Sequence, residues 1–199
     1  MTIATIEIPV PAALPPLAPA KQRILDTADR LFYDEGIRTV GVDRLIADAH
    51  VTKATFYKHF GSKERLVVAY IEHRHRDIAE RIADFARDAG PTETLRALRD
   101  AIVATIHEPG FRGDPFANAA AEFSDHLHPV RRAIEEHRDW YLQVLEDLLR
   151  RMGVPLAGDV ADDLMLARDG AMSGSYVGDP VAVTASLRRQ FARVLPDDH

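Results

Sequence analysis

Residues 52–66 read TKATFYKHFGSKERL and bring Lys53, Lys58, Lys63 and Arg65 together with the aromatic pair Phe56 and Tyr57, against a single acid, Glu64. Lysine ammonium groups can neutralise phosphates. The side chains of Thr52, Thr55, Tyr57 and His59 can donate hydrogen bonds to phosphate oxygens, and Thr55 can also reach a base edge. The chemistry this stretch suits is contact with DNA, with an affinity that falls steeply with salt. The chain as a whole carries a net charge of −6. Charges farther off than about 8 Å are screened at physiological salt, so the overall acidity opposes indiscriminate coating of polymers but leaves a local DNA-binding face intact.

A second cluster lies in PFANAAAEFSDHLHPVRRAIEEHRDWYLQVL. Asn118, Glu122 and His126 stand at i, i+4 and i+8, one stripe of a helix. Phe116, Phe123, Trp140, Tyr141, Met165, Met172 and Tyr176 could line an apolar cavity of the kind that holds a small molecule, although each is equally at home as plain core. Glu122, His126, His128 and His107 are chemically able to hold a transition metal. No HExxH is present, and Asp125 and Pro129 end the helix near there, so no metal is assigned. A Gly-rich phosphate loop, a GxSxG elbow and a paired-carboxylate pattern are likewise missing, and the reading is of a protein that is not an enzyme and has no cofactor.

These residues need elements to position them. From Lys21 the apolar residues recur at helical spacing: Ile24, Leu25, Ala28, Leu31 and Phe32, with Gly36 as a stop. Short helices are expected at about 42–49 and 53–60. Ser62 caps a long amphipathic helix that Gly90-Pro91 closes. Further helices are expected at about 92–107, 115–125, 129–152, 158–178 and 180–195, separated by Gly/Pro breaks. No period-2 run bounded by hairpin turns occurs, which predicts an all-α chain. Helix lengths divide it into a flexible Pro-rich N-terminal arm (1–20), a three-helix unit (21–66) and a helical body (67–199). The arm holds five prolines and Glu7, lacks a basic start, and so does not resemble a signal peptide. With no cysteine, disulfides and thiolate chemistry are excluded, in keeping with a cytoplasmic protein. No apolar run approaches the roughly 18–20 residues that span a bilayer.

The second and third helices, joined by Ala49-His50-Val51-Thr52, have the spacing of a helix-turn-helix, with Lys53–Phe60 as the recognition helix and Phe56 and Phe60 turned inward. Over residues 21–70 the sequence ILDTADRLFYDEGIRTVGVDRLIADAHVTKATFYKHFGSKERL resembles the DNA-binding domain of the tetracycline-repressor (TetR) family of transcriptional regulators. The resemblance covers about a quarter of the chain. It implies phosphate anchors at Thr39, Thr52, Tyr57, His59 and Lys63, and operator reading by Lys53, Thr55 and Lys58. It also implies a C-terminal domain for dimerisation and for a small-molecule effector. Two positions depart from the family pattern: His50 stands where glycine is usual, and Ile46 where a small alanine is common.

Within the body, Ala167, Gly170, Ala171, Ser173 and Gly174 give small side chains at helical spacing. This suits either a four-helix bundle formed with a second copy through the last two helices or tight packing inside one subunit. The combined expectation is a homodimeric repressor that binds a palindromic operator and is released by a small molecule. The alternative is an all-α metal-binding or interaction protein using the Glu122/His126 region.

Overall fold

The computed structural model describes residues 8–11 and 17–196. Among these the secondary structure is entirely helical: α1 (Pro19–Glu35), α2 (Val42–Asp48), α3 (Lys53–Phe60), α4 (Lys63–Ala86), α5 (Pro91–Ile106), α6 (Pro115–Glu122), α7 (Pro129–Arg151), α8 (Ala157–Val177) and α9 (Pro180–Phe191). Three details differ from the sequence expectation. Helix α1 starts two residues earlier, because proline is well tolerated in a first turn whose amides have no partner anyway. Helix α9 stops at Phe191, and α6 stops at Glu122. The early end of α6 breaks the expected stripe, leaving His126 beyond the helix.

The described residues fall into two compact units. One comprises residues 11, 17–77 and 115–136; the other comprises 8–10, 78–114 and 137–196. The boundary therefore runs through α4 rather than after residue 66, and α6 belongs with the helix-turn-helix. Helix lengths could not foretell this, because what ties α6 to that unit is a side-chain contact described below.

The first unit is held by the apolar stripe of α1: Ile24, Leu25, Ala28, Leu31 and Phe32 are buried with Leu45, Phe56, Phe60, Leu66, Tyr70 and Ile71. Burying each such side chain stabilises by roughly 1.5–3 kcal/mol. Arg74 of α4 grips Asp29 of α1 through two nitrogens, one at 2.9 Å, and stacks over Tyr33 and Tyr70. Burial pulls the Arg74 pKa down, but Asp29 and the two tyrosines outweigh it, and the pKa is raised. In the second unit α4 (from Ala79 on), α5, α7, α8 and α9 enclose one core that includes Leu95, Leu98, Trp140, Tyr141, Leu145, Leu148, Leu164, Met165, Met172 and Phe191.

The segment expected to be a flexible arm falls mostly on residues outside the described ones. Its described stretch 8–11 is docked: Ile8 is buried in the core of the second unit, and the Pro9 carbonyl accepts a hydrogen bond of 2.6 Å from Trp140 Nε1. An apolar side chain just before a proline is the anchor here, which composition alone did not reveal.

Candidate nucleic-acid interface

Helix α3 is set by its ends. Thr52 is the N-cap: its Oγ1 accepts from the Thr55 amide at 3.1 Å and lies 2.8 Å from Thr55 Oγ1. Gly61, at φ 74°, ends the helix with its amide on the Tyr57 carbonyl. An L-residue at that φ would be strained, so glycine is required there. The turn before the helix takes a left-handed residue at His50, φ 51°. Histidine adopts this conformation at a modest cost, and the turn closes with Val51 N–H donating to the Ile46 carbonyl at 3.2 Å. The departure at His50 therefore alters the residue and keeps the turn.

With Phe56 and Phe60 inside, α3 turns Lys53, Tyr57 and Lys58 outward. Tyr57 is 45% exposed although its ring meets Phe56 edge-on. Tyr57 thus stands half in solvent beside the two exposed lysines. Thr39 and Thr52 are also exposed, and Thr55, His59 and Lys63 are half-buried. The eight proposed DNA contacts thus all keep some access to solvent, and all belong to one unit.

Glu122, at the end of α6, has a different surrounding from the one expected. Its two carboxylate oxygens accept from the amides of Ile37 and Arg38, each at 2.7 Å. The Arg38 guanidinium in turn donates to the Glu122 carbonyl. Lys63 feels the same carboxylate: burial lowers the lysine pKa and Glu122 partly restores it. Glu122 is therefore a clamp on the α1–α2 loop, next to Thr39. A hydrogen bond to a charged group contributes roughly 1.5–3 kcal/mol, and water competes for the exposed one at Arg38, so the two together contribute less than twice that. Glu122→Ala is expected to destabilise the helix-turn-helix unit by about 2–4 kcal/mol, read as a lower urea midpoint with an unchanged slope, whereas Glu122→Gln retains one acceptor and loses less.

The rest of the predicted effector set is distributed over both units. Trp140, Tyr141, Met165 and Met172 are buried together in the core of the second unit. Phe116 is buried and Asn118 exposed on α6, in the other unit. His126 is exposed, with Nδ1 3.3 Å from Arg131. Tyr176 is half-exposed with Arg112 over its ring at 6.0 Å. Among the described residues no group of three His, Cys, Asp or Glu side chains is assembled to hold a metal ion, and no helix is long and apolar enough to cross a membrane.

A polar centre missed in the sequence lies among the buried aromatics. Arg168 donates to Asp114 at 2.7 Å and to Asp169 at 3.0 Å, and stands 4.9 Å from the Tyr141 ring. Arg168 and Asp114 are 7% and 6% exposed. Burial pulls the Arg168 pKa down, but Asp114, Tyr141 and Asp169 outweigh it, and the pKa is raised. Burial raises that of Tyr141, which the arginine partly offsets. The signal in the sequence was an adjacent arginine and aspartate inside the otherwise apolar run LMLARDGAM.

The geometry of α3 meets its counterpart in known proteins. The family model described as "Bacterial regulatory proteins, tetR family" matches residues 24–70. The crystal structure of SCO4454, a TetR-family transcriptional regulator from Streptomyces coelicolor, superposes with a TM-score of 0.84 at 39% identity, covering 89% of this chain and 94% of that one. The chain belongs to the TetR family. It is also 32% identical to Rv1255c, an uncharacterized HTH-type transcriptional regulator of Mycobacterium tuberculosis, over 65% of this chain and 74% of that protein. With LmrA, an HTH-type transcriptional regulator of Bacillus subtilis, it shares 29% identity over 67% and 73% of the two chains. A TetR-family chain is a DNA-binding transcriptional regulator and not an enzyme.

Proposed function

We propose that this regulator is a repressor that binds a palindromic operator as a homodimer and is released by a small molecule in the cytoplasm. The observation that carries the operator reading is the outward set Lys53, Tyr57 and Lys58 on a helix whose inner face is fixed by Phe56 and Phe60. Thr39, Thr52, Thr55, His59 and Lys63 complete the contact surface. Lysines and hydroxyls anchor phosphates, while Lys53, Thr55 and Lys58 read bases from the major groove. Two such helices about 34–36 Å apart would enter successive major grooves.

Dimerisation is supported by α8 and α9. Leu166, Tyr176, Val177 and Val181 are 64%, 50%, 81% and 70% exposed, and solvent-facing apolar side chains on neighbouring helices suit a self-complementary twofold contact. Of the small residues on α8, Gly174 packs within the subunit and Gly170 faces open space. A methyl on Gly174 would lie 3.4 Å from Val183, inside the subunit, whereas one on Gly170 would meet nothing within 4 Å. Val177→Glu places a charge in the proposed interface and is expected to shift the chain from dimer to monomer in sedimentation at micromolar concentration. A persistent dimer would send the contact elsewhere.

The effector would enter the second unit near Trp140, Tyr141, Met165 and Met172, and it shifts DNA affinity only by its differential affinity for two conformations. Selection of labelled DNA from a randomised pool tests the operator reading. Enrichment of a palindrome by the wild-type protein is the expected result, and a pool without enrichment overturns it.

A further inference from the structure

Ile8 and Pro9 occupy the second unit in the manner of a ligand. Ile8 is 7% exposed and belongs to the same buried cluster as Trp140, Tyr141, Met165 and Met172. The neighbouring carbonyl, that of Pro9, takes the Trp140 indole N–H at 2.6 Å. Val10 on the other side is exposed at 38%. The segment lies outside every helix, and among the described residues Ile8 seats it in the core and the Pro9 carbonyl ties it to Trp140. Prolines at 9 and 11 restrict its backbone. An occupant that belongs to no helix can leave without unravelling one.

We propose that Ile8–Pro9 fills the effector site of this protein, and that the effector is a neutral, largely apolar molecule with a carbonyl-type acceptor that displaces the segment. Its apolar part takes the place of Ile8 and its acceptor takes the Trp140 N–H. Neutrality follows from the charges nearby: the cation of Arg168, which stacks on Tyr141, is already matched by Asp114 and Asp169. An added anion would meet those carboxylates, and an added cation would meet the arginine. The proposal deepens the effector reading and rests on it. A resident segment lowers apparent ligand affinity by the fraction of molecules in which the site is open, so weakening the segment tightens ligand binding.

Trp140 is the single tryptophan of the chain, and its emission reports the seat directly. The test compares wild type, Ile8→Asp and Ile8→Ala in the full chain, using Trp140 fluorescence and titration with Nile red, a neutral apolar dye with one ring carbonyl. Both variants are expected to shift Trp140 emission to the red. They should bind the dye more tightly than wild type, by about tenfold for Ile8→Asp. A synthetic peptide of residues 2–11, TIATIEIPVP, should expel the dye from either variant and restore the emission. Trp140→Phe, which keeps a ring but has no N–H, is placed in the Ile8→Ala background, where the segment is already loosened, and should bind the dye more weakly than Ile8→Ala alone. If Ile8→Asp fails to fold, as a melt without a cooperative transition would show, the Ile8→Ala variant decides. Equal emission and equal dye affinity in wild type and Ile8→Ala would overturn the proposal, as would a dye that the peptide cannot expel. None of these measurements involves DNA. Addition of the dye to the operator complex is a separate arm: competition with the peptide without release of DNA supports the site and counts against the effector reading alone.

Discussion

Replacing Tyr57 and Lys58 together by alanine will weaken binding to the selected operator by about a hundredfold or more, while leaving the melting temperature nearly unchanged. A hydrogen bond to a charged group contributes roughly 1.5–3 kcal/mol, and every 1.4 kcal/mol is a factor of about ten in affinity. Deleting two such hydrogen bonds to DNA at once therefore lowers affinity by at least two decades. The fold is spared because both side chains point outward, with Phe56 and Phe60 carrying the buried side of the helix. The single variants separate two roles. If Lys58 neutralises a phosphate, Lys58→Ala weakens binding to all sequences alike and lowers the slope of log affinity against log salt by about one. If it reads a base, the loss concentrates on one operator position and the preference there relaxes. Titrations at two salt concentrations, on the selected palindrome and on single-base variants of it, distinguish these. An affinity unchanged in the double variant would remove α3 from the interface.

The outward face of α3 was legible before the structure because it depends on local rules. A cap at Thr52, a stop at Gly61 and two phenylalanines four residues apart determine which side of an eight-residue helix is inside. The remaining positions then face outward by geometry alone. The effector set was less legible for the opposite reason. Asn118, Glu122 and His126 share a spacing, but spacing has meaning only while the helix lasts, and α6 ends at Glu122. The partners of Glu122 are amides some 85 positions away in the chain, and nothing in the local pattern marks a backbone amide as needing an acceptor. Ile8 was hidden by composition: five prolines suggest an extended chain, yet an extended chain can still place one side chain in a core.

Asp114→Ala is expected to cost about 3–5 kcal/mol of stability, the largest stability effect of any change considered, seen as a reduced urea midpoint. The reason is asymmetric. With both partners present, Arg168 and Asp114 satisfy each other at 2.7 Å and the cost of taking them out of water is largely offset. With the aspartate gone, a guanidinium whose pKa is raised in the folded state has one fewer counter-charge and no ready route to neutrality. Asp169 retains its bond of 3.0 Å but is itself shared with Arg138. Arg168→Met together with Asp114→Ala should therefore be more stable than Asp114→Ala alone, since no charge is left without its partner. The pair also sits at a consequential point in the chain. Asp114 directly precedes α6, and α6 ends in the Glu122 clamp on the α1–α2 loop. A double variant that recovers stability but responds differently to an effector would show that the ion pair conditions the helix carrying that clamp, whereas full recovery of both would limit it to balancing charge in the core.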